Sequence, residues 1–282
     1  MDAQRKRELQ DFAFQIRIAC VEEFKSLGFG HIGGSLSIVD ALAVLYGSVM
    51  NINPADPNWP ERDKLVCSKG HAGPAVYATL ALKGYFSQEV LQTLNKPGTT
   101  LPSHCDRNKT PGIDITTGSL GQGSSMAVGL ALGDRLKGRN SRTFLFTGDG
   151  ELNEGQIWEA AMLASARKVE NLIWFVDENK KQLDGETNDI LPLGNIAAKF
   201  TAFGFHTQRI PGNDIEAIYE AIEATAMVAG MPHVIILDTI KGAGVKAVEE
   251  TAANHSIAAK PEAFDEWLAQ LNTDYQAFLA QS

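Results

Sequence analysis

The chain has 282 residues, of which 44% are hydrophobic and 21% charged, the composition of a globular protein long enough for one large α/β domain or two small ones. Its formal charge of −9 argues against a nucleic-acid surface, which would need a basic patch. The three cysteines, Cys20, Cys67 and Cys105, are odd in number and scattered without metal-ligand spacing, which implies free thiols in a reducing, cytoplasmic compartment.

The opening segment, MDAQRKRELQDFAFQIRIAC, mixes charges into an amphipathic helix and reads as neither a leader nor a membrane span. Helical periodicity continues from Leu9 to Leu27 and stops at Gly28. A second helix is expected over Ser37 to Met50, closed by the turn-rich NINPADPNWPERD. A short strand, Asp63 to Ser68, delivers Lys69-Gly70-His71 at its carboxyl end, and Ala72 to Lys83 is helical. Residues 95–123, rich in Gly, Pro, Ser and Thr, read as a loop, and loops of that length inside a domain are usually functional. Ser124 to Leu136 returns to helix. Strands are expected at Thr143 to Thr147, Leu172 to Val176, Gly204 to Ile210 and His233 to Thr239, with a helix over Asp214 to Val228. The tail, Pro261 to Leu279, is a helix with Phe264, Trp267, Leu268 and Leu271 on one side. This alternation predicts an α/β fold: one domain over 1–282, with a doubly wound, mainly parallel sheet flanked by helices.

The segment GDGELNEGQIWEAAMLASARKVENLIWFVDENKKQLDG, from Gly148 to Gly185, carries the chemistry. It is a βαβ unit with Asp149 at the carboxyl end of one strand and Asn179 at the end of the next. A right-handed crossover sets those ends side by side, so the two residues can share one ion. Glycines flanking Asp149 allow close backbone approach, and the following helix N-terminus favours an anion. Few protein oxygens, with the remaining shell left to phosphate and water, suit Mg²⁺ or Ca²⁺ on a diphosphate. Either half alone reads as a simple turn or a solvated strand end; the order and spacing of both point to a site.

Six histidines occur. His31 in GHIGGS, His71 in KGHAG, His104 in PSHCD and His255 in NHS fall in loops beside glycine or small polar residues, whereas His206 and His233 lie in strand-like stretches and read as structural. A lone loop histidine is ordinarily a surface residue. Four on one sheet fit a site that must donate to phosphate or hydroxyl oxygens and exchange protons near neutral pH.

With SLGFGHIGGSLS, KGHAG, TTGSLGQG, GDGELNEG and DENKKQLDG in that order, the chain resembles the thiamine diphosphate-binding, N-terminal part of the transketolase family, and in particular the N-terminal subunit of a split transketolase. The resemblance implies that His71, Asp149, Gly150 and Asn179 bind the cofactor's diphosphate and its Mg²⁺, for which Ca²⁺ or Mn²⁺ could substitute. It assigns the Lys181 carbonyl as a third metal ligand, Gly118 and Leu120 to the aminopyrimidine, and Leu183 to the thiazolium. His31, His104 and His255 match substrate-channel histidines that serve proton transfers, and Glu154 matches an acid at the subunit interface. Lys181 and Leu183 stand where isoleucines are common, and Cys105-Asp106 replaces a proline and an acid after the channel histidine. The stretch around His255 is loosely matched.

The family's pyrimidine-binding and C-terminal domains, with the glutamate that activates the cofactor, have no match here. The expectation is a separately encoded C-terminal partner in an α₂β₂ assembly, transferring a two-carbon ketol unit between sugars or sugar phosphates. Two alternatives remain at this stage. One is the α subunit of a 2-oxoacid dehydrogenase, against which the histidine loops and GSLGQG weigh. The other is a non-catalytic scaffold that retains the fold.

Overall fold

The computed structural model describes residues 1–183 and 185–281; Asp184 and Ser282, part of the span assigned to one domain, lie outside the described residues. The apolar runs form β1 (Lys64–Cys67), β2 (Thr143–Gly148), β3 (Leu172–Glu178), β4 (His206–Pro211) and β5 (His233–Asp238). They pair in the order β1-β2-β3-β5-β4, every pair parallel. Successive strand residues point to opposite faces, and here both faces are dry. Phe144, Phe146, Phe175 and Ile235 enter one core, while Leu145, Trp174, Val176 and Ile236 enter another. A parallel sheet buried on both faces reads as continuous apolar runs and needs helices on each side.

The longer helices are α1 (Ala3–Leu27), α2 (Gly73–Leu82), α3 (Gln122–Leu136), α4 (Gly155–Ala166), α5 (Ile215–Thr225) and α6 (Pro261–Leu279). α1, α2, α5 and α6 supply the first core, α6 through Phe264, Trp267 and Leu271; α3 and α4 supply the second. α1 opens with the Asp2 carboxylate accepting from the Arg5 amide at 2.7 Å, and ends at Gly28, whose φ of 86° suits glycine. Among the described residues no helix is long and apolar enough to cross a membrane.

The helix expected over 37–50 begins earlier and is interrupted. Ile32–Leu36 and Val39–Val44 are separate helices, and Leu45–Val49 is a wide π-type turn. Ser37 Oγ lies 2.7 Å from Asp177 Oδ2 and 3.1 Å from the Gly34 carbonyl, a local bond that competes with the helical ladder. The glycines of GHIGGS disguise the first of these helices, because glycine disfavours helix. Gly33 is nonetheless required: a Cβ there would stand 2.1 Å from the Asn254 carbonyl oxygen. A two-residue antiparallel ribbon, Phe29–Gly30 with Ile257–Ala258, ties the segment holding His255 to the one holding His31. The helix Ile196–Ala202, capped by Asn195, and the 3₁₀ turn Gln88–Thr93 are further elements that the apolar pattern does not announce.

Candidate active site

Because the strands run the same way, their carboxyl ends share one edge, where open α/β sheets leave room for ligands. β1 leads to Lys69 and His71, β2 to Asp149, β3 to Asn179 and Lys181, and β5 to Thr239 and Lys241. Together with loops from elsewhere they enclose a cleft of about 260 Å³. His31, His71, His104 and His255 line it, as do Gly118, Leu120, Asp149, Gly150, Asn179, Lys181 and Leu183. Glu154 does not: it is exposed at the N-cap of α4, beside Gly121, where a Cβ would lie 3.0 Å from the Glu154 Cβ. His206 and His233 are register partners at the start of β4 and β5, with Nδ1 atoms 3.2 Å apart, at the opposite end of the sheet.

Asp149 is buried, and its carboxylate holds the two halves of the motif together. Oδ1 accepts from the Gly150 amide at 2.7 Å, and Oδ2 accepts from the Lys180 amide at 2.6 Å. Burial, then the charge of Asp177, pushes its pKa up to about 7 against those backbone bonds, so a cation in contact would favour the ionised form. Asn179 is oriented by Asp177, whose Oδ2 accepts from the amide nitrogen at 2.8 Å. The Lys181 carbonyl accepts from Lys241 Nζ at 2.9 Å. Among the described residues no three His, Cys, Asp or Glu side chains group as a metal site. A cation here would therefore rely on one carboxylate, one amide oxygen and one carbonyl, a donor set that suits a hard divalent ion sharing its shell with phosphate. Gly150 closes the cradle, since a Cβ there would lie 2.8 Å from Gln182 Cβ.

The four cleft histidines form one group. His31 has its ring centroid 5.5 Å from His71, 5.5 Å from His104 and 5.2 Å from His255, and His71 lies 4.9 Å from His255. Burial lowers the pKa of each; it takes His71 well below the usual range, and there the Lys69 charge adds to it. His255 falls to about 4 through burial, then the Lys241 charge. The group is neutral near pH 7, so each ring offers one N–H and one lone pair. Gly118, at φ 144°, lets the loop pass over His104, whose ring would stand 3.1 Å from a Cβ.

Several residues here escape a reading of the sequence. Lys69 is fully buried and pairs with Asp177 at 2.5 Å. Asp177 also accepts from Ser37, Thr239 and Asn179. Burial opposes its ionisation, but Lys69 and these donors outweigh it and hold its pKa below the usual range. Glu151, buried, accepts from Ser68 Oγ, from the Gly121 amide at 2.8 Å and from the Gly148 amide at 3.1 Å. It thereby pins the 118–121 loop to the turn after β2. Asp177 opens the DEN motif and Glu151 directly follows GDG, and that adjacency is the signal that could have found them. Lys241, remote in sequence from both motifs, carries no such signal.

These observations converge with comparisons to known proteins. Residues 9–281 match the family model described as transketolase, thiamine diphosphate binding domain. The chain belongs to the transketolase family. It is 49% identical over 272 residues to the 6-deoxy-6-sulfo-D-fructose transketolase subunit SqwG of Clostridium sp. (strain MSTE9), covering 96% of this chain and 99% of that one. It is 40% identical to an apulose-4-phosphate transketolase subunit of Actinobacillus succinogenes, covering 87% of this chain and 88% of that one. Among solved structures, transketolase from Campylobacter jejuni superposes with a TM-score of 0.85 at 27% identity, over 99% of this chain and 48% of the other. A transketolase from Pichia stipitis does so with a TM-score of 0.85 at 28% identity, over 98% and 46%. The chain thus spans about half the length of these solved transketolases.

Proposed function

We propose that this chain is the N-terminal subunit of a two-part transketolase. It holds the diphosphate end of thiamine diphosphate and works with a separate C-terminal subunit in an α₂β₂ assembly in the cytoplasm. The observation that carries the reading is the single cleft in which Asp149, Asn179 and four neutral histidines meet at the carboxyl edge of the sheet. The naming of full-length relatives as subunits supports the division of labour.

In this reading Asp149, the Asn179 side chain and the Lys181 carbonyl hold Mg²⁺, with Ca²⁺ or Mn²⁺ as substitutes. His71 and the Gly150 backbone face the diphosphate. Gly118 and Leu120 back the aminopyrimidine, and Leu183, which is 68% exposed, covers the thiazolium. When bound, the cofactor supplies an electron sink for cleaving the carbon–carbon bond beside a ketose carbonyl. The protein's share is placement: His31, His104 and His255, neutral and close together, donate to the sugar's oxygens and move protons there. Glu154, outside the cleft, faces the partner. The residue that activates the cofactor comes from the partner.

The test is reconstitution. The purified chain and its candidate partner are mixed with thiamine diphosphate and Mg²⁺, and two-carbon transfer from a ketose phosphate, or from 6-deoxy-6-sulfo-D-fructose, to an aldose phosphate is followed. Activity only in the mixture, abolished by Asp149→Ala, is the expected result. A stable complex that binds the cofactor yet decarboxylates pyruvate would replace the reading with a 2-oxoacid dehydrogenase. No complex and no cofactor binding would overturn it.

A further inference from the structure

Among the described residues, 95–121 form neither helix nor strand, yet His104, Gly118 and Leu120 of the cleft stand on them. A loop of that length keeps a fixed shape only if its polar groups are tied to something rigid. The rigid part is β1, the edge strand of the sheet. The Lys64 and Ser68 amides donate to the carbonyls of Arg142 and Phe146, on the β2 side. By alternation the Leu65 amide and the Cys67 carbonyl face the open edge, where they need other partners. Two side chains supply them. Asp114 Oδ2 accepts from the Leu65 amide at 2.8 Å, and Thr117 Oγ1 donates to the Cys67 carbonyl at 2.6 Å. The 114–117 segment thus lies along β1 as a parallel strand would, but holds on through side chains.

This grip is set from both ends. Arg62, just before β1, is mostly buried and pairs with Asp114 Oδ1, while its Nε and Nη1 donate to the carbonyls of Pro57 at 2.6 Å and Asp63 at 3.1 Å. A guanidinium fixed at three points keeps the carboxylate against Leu65. At the other end the Thr117 amide donates to the Cys105 carbonyl at 3.0 Å. Cys105 follows His104 in the chain, and Gly118 follows Thr117 and passes over the His104 ring. Arg62 and Asp114 themselves stand outside the cleft.

We propose that Asp114, held by Arg62, and Thr117 are positioning residues, which dock the loop on the open edge of β1 and so set His104 and Gly118 where the sugar and the cofactor require them. This rests on the transketolase reading for the identity of the ligands, but the docking is a property of the chain alone. Without one edge contact the loop is free to slide. Misplacing a group that positions substrate by about 1 Å costs on the order of a hundredfold, so a partial slip predicts a KM for the ketose raised about tenfold.

The experiment uses the full chain with Asp114→Ala; Thr117→Val, similar in shape, keeps the test open if the first variant does not fold. In Asp114→Ala the Leu65 amide should exchange with heavy water at least about tenfold faster than in the wild type, with the Val66 amide, on the β2 side, little changed. With ¹⁵N-histidine labelling, and His104→Gln to assign the ring, His104 signals should shift in both variants. Those of His206 and His233, at the opposite end of the sheet, should stay. Reconstituted with the partner, thiamine diphosphate and Mg²⁺, both variants should show the raised ketose KM, whereas a chain that is merely less stable forms fewer active complexes with the wild-type KM. Unmoved His104 signals in both variants, or a wild-type KM in both, would overturn the docking role. If the exchange and the His104 signals change as expected but the wild-type mixture transfers no two-carbon unit, the docking stands and the transketolase reading falls.

Discussion

Glu23 allows a stability experiment far from the cleft chemistry. It sits on α1 with no exposed surface, and among the described residues neither carboxyl oxygen has a hydrogen-bond partner. Burial pushes its pKa well above the usual carboxylate range. A carboxyl whose folded pKa is raised is harmless below its unfolded pKa, near ~4.3, and destabilises as pH rises from there to the folded value. Each pH unit in that window costs about 1.4 kcal/mol. Glu23→Gln keeps the shape and removes the proton, so its advantage over wild type should be small near pH 5 and grow toward pH 8 with that slope until the folded pKa is passed. Glu23→Met also removes the unpartnered polar atoms, which adds a pH-independent gain of about 1–3 kcal/mol. Urea unfolding followed by tryptophan fluorescence at pH 5.5 and pH 8 separates the two contributions. If Glu23→Gln is less stable than wild type at both pH values, the carboxylate has a favourable partner and the reasoning is wrong.

Three further outcomes are expected. Lys69→Met should cost about 3–5 kcal/mol, because it leaves a buried charge on Asp177; Lys69→Met with Asp177→Asn should recover part of it, and strictly additive urea midpoints would refute the pairing. Gly33→Ala should push a Cβ against the Asn254 carbonyl, costing about 1–3 kcal/mol and displacing His255; a wild-type rate of two-carbon transfer in the reconstituted mixture would count against it. Burial, then the charge of His206, lowers the pKa of His233 to about 4. The folded state therefore binds fewer protons than the unfolded one between pH ~6.5 and ~4, and stability is lost as pH falls through that window, by up to about 3 kcal/mol. His233→Gln should flatten that loss in a series of thermal unfolding curves, and an unchanged acid limb would refute it.

Much of the architecture was legible because a doubly wound sheet writes itself twice. Strands such as Phe144 to Thr147 and Ile173 to Val176 are apolar at nearly every position, since both faces are covered. α1 and α5 carry their own side-chain caps, Asp2 and Asp214, and α1 stops at Gly28. What remained hidden had a local signal opposed by a tertiary one. Gly33 and Gly34 disfavour helix in isolation, but the helix Ile32–Leu36 must pass against the Asn254 backbone and His71. Ser37, expected to open a helix, instead lies in the break between two short ones and turns toward Asp177.

The sequence alone determined which chemistry could be assembled: an oxygen donor at the end of each of two strands, glycines on both sides of the first, and histidines in flanking loops. Their order along a βαβ unit sufficed to set Asp149 beside Asn179, because handedness and strand direction leave one arrangement. Only the tertiary structure decided what surrounds that pair. Lys69 meets Asp177 across 108 residues, Lys241 meets the Lys181 carbonyl across 60, and His255 reaches His31 through the ribbon between Phe29–Gly30 and Ile257–Ala258. Such contacts depend on where separate loops land on a shared sheet edge. A spacing rule describes one helix or one crossover, and it has no term for that.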